Sequence, residues 1–109
     1  MVEGLWIVQF HGPFGNGGGV IVLVRGKVLG GDSGFTYSGT YEFKSDTFRA
    51  RVLVKNFDSA VPNVLGIPGS LDLMIDAKMQ GDGINGTAAL VNAPDSKMVV
   101  RLKKYADLE

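Results

Sequence analysis

Phe48-Arg49-Ala50-Arg51-Val52-Leu53-Val54-Lys55 decides the fold class. Phe48, Ala50, Val52 and Val54 fall on one side of an extended chain, and Arg49, Arg51 and Lys55 on the other. That two-residue period belongs to a half-buried strand, because successive side chains of a strand point to opposite faces. The pattern recurs at Leu71-Asp72-Leu73-Met74-Ile75-Asp76-Ala77-Lys78, with Asp72, Asp76 and Lys78 outward. It returns near the end, where Met98, Val100 and Leu102 alternate with Lys97, Val99, Arg101 and Lys103. No window sustains a helical period.

Turn signals separate these runs at short, regular spacing, as in a meander of hairpins. They are Arg25-Gly26-Lys27, Lys44-Ser45-Asp46, Gln80-Gly81-Asp82-Gly83 and Asn92-Ala93-Pro94-Asp95. Strands are expected near residues 3–11, 18–25, 27–32, 35–43, 47–57, 69–78, 83–91 and 97–105. An even strand number with short links predicts a small closed antiparallel up-and-down barrel, which leaves no sheet edge exposed. An open two-sheet sandwich is the alternative. Gly39 and Gly86, inside strands, suit the sharp coiling of a small barrel.

Two stretches break the rhythm. His11 to Gly19 is glycine-rich and reads as a flexible hairpin loop. Residues 58–69 are too many for a tight turn and too apolar for a plain linker. Val61, Val64, Leu65 and Ile67 are expected to form a plug there, with at most one short helix near residues 58–67, ending at Gly66.

The chain has 109 residues, enough for one domain over residues 1–107. Leu108-Glu109 reads as a cloning remnant. Eleven basic and eleven acidic side chains cancel, and without a positive patch direct nucleic-acid binding is disfavoured. No apolar run reaches the length of a membrane span, and the first residues do not read as a signal peptide, so a cytoplasmic location is expected. With no cysteine, disulfides and thiolate chemistry are excluded.

No catalytic or metal constellation assembles from the remaining residues, and neither an enzyme nor a cofactor is expected. His11 is the sole histidine. Asp32, Asp46, Asp58, Asp82 and Asp95 lie at or beside turns, where aspartate bonds its own backbone. The run Gly15 to Gly19 leads into Val20-Ile21-Val22, a strand, whereas a phosphate loop must open a helix. Asn85-Gly86-Thr87 fits a glycosylation acceptor and reads as a chance match, since no secretion is expected from the first residues.

The aromatic residues sit mostly at alternating strand positions and read as core. A lined cavity is the sharper alternative, because small barrels can hold one apolar molecule. Its expected lining is Trp6, Val8, Val22, Tyr41, Phe48, Val52, Leu73 and Leu102, with Gly86 and Ala88 leaving space. Two strands, Leu5 to Val8 and Val20 to Val24, are apolar on both faces. If Trp6, Val8, Val20, Val22 and Val24 face inward, then Leu5, Ile7, Ile21 and Leu23 form an outer patch suited to a homodimer interface.

Gly4-Leu5-Trp6, Gly30-Gly31-Asp32, Tyr37-Ser38-Gly39 and Val61-Pro62-Asn63-Val64-Leu65-Gly66-Ile67 follow one another in an order and spacing that resemble the GrlR-like negative regulators of type III secretion. The likeness runs from about Glu3 to Lys103. It implies an eight-stranded lipocalin-like barrel, a homodimer, and regulation by binding a transcriptional activator rather than DNA. It also implies an apolar cavity suited to a lipid-like ligand. The partner-binding hairpin of the family, acidic in members that sequester the activator, corresponds to Lys44, Ser45 and Asp46. Only Asp46 keeps the acidic character, and Lys44 reverses it.

Overall fold

A computed structural model describes residues 2–60 and 69–108 of the chain. Eight strands follow one another: β1 (Gly4–Gly12), β2 (Gly15–Val24), β3 (Lys27–Gly31), β4 (Phe35–Lys44), β5 (Thr47–Asn56), β6 (Leu71–Gln80), β7 (Gly83–Leu90) and β8 (Ala93–Ala106). Each pairs antiparallel with the next, and β8 returns to β1, so the sheet closes on itself as an up-and-down barrel. Among the described residues there is no helix. The expected plug side chains and most of the expected helix lie outside them.

Tight turns set the register. In the β4–β5 hairpin Lys44 pairs with Thr47, leaving Ser45 and Asp46 at φ 53° and 64°. Arg25 and Gly26 do the same between β2 and β3, at φ 49° and 78°. Two successive positive φ values match the mirror-image turns whose twist suits paired strands. Sharp coiling brings strands close at Gly39 and Gly86, where an added Cβ would meet the Arg51 and Asp76 carbonyl oxygens at 1.9 and 2.2 Å.

Two segments depart from the expected boundaries. The glycine-rich stretch is not a long loop. Gly12 pairs with Gly15, only Pro13 and Phe14 turn, and Asn16 to Gly19 continue the ladder opposite His11 to Val8. Glycine supplies the same backbone donors and acceptors as any residue, so a strand can run through it when its partner is well anchored. The β7–β8 turn falls at Val91 and Asn92, and β8 starts at Ala93. Pairing then jumps from Leu90–Ala93 to Ala89–Lys97, so residues 94–96 bulge from the ladder.

The core is wholly apolar among the described residues. Trp6, Phe48, Leu23, Leu73, Ile84, Val28 and Val100 are completely enclosed. Trp6 is directly opposite Ile21, and Gly4 opposite Leu23. Residues paired across an antiparallel ladder share a face, so Ile21 and Leu23 point inward with Trp6 and are buried. This corrects the expected facing of β2. Val20, Val22 and Val24 point out, because a one-residue change of phase turns over the whole strand.

Candidate functional site

Along β2 the inward positions read Leu23, Ile21, Gly19, Gly17 and Gly15. Large side chains fill the barrel beside the first two, and nothing projects from the last three. At the filled end Tyr41 stacks on Phe48 with ring centroids 5.6 Å apart, and the Trp6 indole Nε1–H donates to the Val2 carbonyl at 2.8 Å. The centre keeps only about 20 Å³ of space, room for no more than a water molecule.

At the other end the barrel opens into a cavity of about 580 Å³, within the size range of small-molecule sites. Phe10, Phe35, Val54, Leu71, Leu73 and Met98 supply apolar wall, and the Gly17 to Gly19 backbone forms the bare side. Gly19 leaves room that a side chain would close, since a Cβ there would lie 3.0 Å from the Tyr37 hydroxyl oxygen and 2.7 Å from the Gly31 carbonyl.

The polar part of the cavity is built at the β3–β4 corner. Asp32 Oδ1 accepts the amide N–H of Gly34 at 2.8 Å and of Phe35 at 2.9 Å. The Tyr37 hydroxyl donates to Asp32 Oδ2. Asp32 thus bonds its own backbone, as expected of a turn aspartate, and also holds a side chain aimed into the barrel. Phe10 meets Tyr37 edge to face, centroids 5.9 Å apart, and fixes its ring. Burial above all, then the hydrogen bond and the charge of Asp32, push the Tyr37 phenol far above the ordinary tyrosine range.

Of the residues expected to line a cavity, Leu73 alone borders this opening. Trp6, Val8, Phe48, Val52 and Leu102 face inward but are consumed in packing, and Tyr41 is half-buried beside them. Val22 points outward, correcting its assignment. The cavity instead forms at the glycine-lined end, and the Asp32–Tyr37 pair was not anticipated from the sequence. Its signal was available: period two puts Tyr37 inward, and a buried phenol needs a partner.

A second feature occupies the outside of β1–β3. Leu5, Val22 and Leu29 form one cross-strand row, and Ile7 and Val20 the next. Ile7, Val20 and Leu29 are 38%, 46% and 50% exposed, with Leu5 and Val22 half-buried between them. The expected interface residues Leu5 and Ile7 therefore belong to this patch. Ile21 and Leu23 do not, and Val20, Val22 and Leu29 replace them. The far side of the barrel is charged: Arg51 grips Asp72 through two bonds of 3.1 and 2.8 Å, and Arg49 reaches Asp76 at 3.3 Å. The Arg51 hydrogen bonds hold the Asp72 carboxyl below its ordinary range. Lys44, Ser45 and Asp46 are exposed at a hairpin tip on the filled end.

Among the described residues no cluster of histidine, aspartate and glutamate could hold a metal ion, and no helix is long and apolar enough to cross a membrane. No known protein-family model matches the sequence, and no curated protein matches it.

Proposed function

We propose that this barrel is a regulatory binding protein that works through protein contact rather than catalysis. The observation that carries this reading is the outer face of β1–β3, where five apolar side chains lie in adjacent cross-strand rows. Contiguous apolar surface of that kind marks interaction sites. The charged ladder of β5 and β6 leaves the opposite face without one. A second copy of the chain is the first partner, since a two-fold axis places like patches together. The resemblance to GrlR-like regulators supports a transcriptional activator of type III secretion genes as the second. With Lys44 in place of an acidic residue, contact with that activator depends on the apolar face more than on the hairpin's charge.

A reporter assay tests it. Expression of the chain should lower transcription from an activator-dependent type III secretion promoter, and the Leu29→Lys variant should not. Unchanged transcription with the wild-type chain would overturn the regulatory reading.

The open cavity supports a second reading, in which the barrel holds a small apolar molecule in the manner of a lipocalin-like binder. Its walls are apolar and its few polar groups converge at one corner, the usual composition of a ligand pocket.

A further inference from the structure

We infer that the cavity selects an apolar molecule whose polar end is a hydrogen-bond donor, an alcohol or an amine, against one ending in a carboxylate. The inference rests on the ligand-binding reading just given and concerns the chemistry of the head group.

Asp32 and Tyr37 are the titratable side chains on the described lining, and no cationic side chain shares it. The Tyr37 proton is committed to Asp32 Oδ2. What the phenol offers a ligand is therefore its oxygen lone pairs, and Asp32 offers those its amide and phenol donors leave open. Both groups accept. A phenol is protonated at neutral pH, and its hydrogen bond to Asp32 commits that proton. A hydroxyl or ammonium at the end of an alkyl chain would find acceptors while its tail lay against Phe10, Phe35 and Met98. A carboxylate would place a second negative charge beside Asp32, and no cationic side chain on the described lining offsets it. Of the other polar side chains on the lining, Asn16 is 2.9 Å from His11 Nδ1 through its Oδ1, and Ser33 is an exposed hydroxyl. Neither brings positive charge.

Displacement of the fluorescent apolar probe N-phenyl-1-naphthylamine, measured at neutral pH, tests the inference. Decanol and decylamine should displace the probe at concentrations at least about tenfold lower than decanoic acid, a gap of about 1.4 kcal/mol. Asp32→Asn keeps an oxygen for the two amides and removes the charge, so it should narrow the acid's deficit. Decanoic acid competing as well as decanol in the wild-type protein would overturn the head-group inference and leave the ligand reading standing. A deficit unchanged in a folded Asp32→Asn variant would also overturn it, by placing selectivity elsewhere. A probe that does not bind at all, or that none of the three compounds displaces, would remove the ligand reading itself and the inference with it.

Discussion

The Tyr37 hydroxyl donates its hydrogen bond to Asp32, tying an inward side chain of β4 to the corner that precedes the strand. One carboxylate thus holds two backbone amides and a phenol. Hydrogen bonds to a charged group are worth about 1.5–3 kcal/mol each at most, and less where water can replace the carboxylate. Asp32→Ala should therefore cost about 3 kcal/mol, and Asp32→Asn about 1 kcal/mol because its amide oxygen still serves the corner. Urea unfolding of the three proteins checks the order. An alanine variant as stable as wild type would show that the corner holds without its carboxylate.

Alkaline pH should weaken the fold through Tyr37. Its folded pKa lies above the ordinary 10.0, so the fold keeps a proton that the unfolded chain releases. The associated stability is present below pH 10 and is lost as the pH rises beyond it, at about 1.4 kcal/mol per pH unit. Other groups titrate in the same range, and Tyr37→Phe isolates this contribution. Its stability should fall less steeply above pH 10, and parallel slopes for the two proteins would contradict a buried, bonded phenol.

Val52 faces the barrel interior opposite Gly39 and Leu73 and is 4% exposed. Aspartate there would bury a charge without a partner, costing several kcal/mol against a total stability of about 5–15. Val52→Asp should abolish the cooperative thermal transition. Leu23→Lys should do the same, because Leu23 is enclosed in the core.

Strand identity was legible wherever polar and apolar residues alternate. β5 and β6 show their faces directly, because Arg49 and Arg51 or Asp72 and Asp76 mark the outside. β2 carries no such mark: Val20 to Val24 is apolar throughout, and its phase is set by pairing with its neighbours, Ile21 opposite Trp6 of β1 and Leu23 opposite Val28 of β3. The glycine-rich ladder was hidden for a related reason. Residues 15–19 have almost no side chains to display a period, and their extended backbone is imposed by β1 across the hairpin. The cavity inherits that blindness, since it exists where side chains are missing. Asp32 was recognisable as a turn residue, but its bond to Tyr37 depends on how the corner folds back on the strand.

Leu29→Lys should abolish the proposed self-association without unfolding the chain. Leu29 is half-exposed, next to Val22 in the row that Leu5 completes. A lysine there can keep its methylene stem on the surface and its charge in water, so the fold should change by less than about 0.5 kcal/mol. In a two-fold dimer the same substitution would place two charges in an apolar contact. Five side chains from each protomer, each partly exposed beforehand, contribute about 1 kcal/mol apiece when covered. Loss of translational and rotational freedom offsets at least about 4 kcal/mol of that. The balance corresponds to a dimer dissociation constant on the order of tens of micromolar. Light scattering over a concentration series should show wild type associating through that range, with Leu29→Lys and Val20→Lys remaining monomeric and natively folded. A wild-type monomer at several hundred micromolar, or variants that associate unchanged, would mean that the β1–β3 face does not pair with itself.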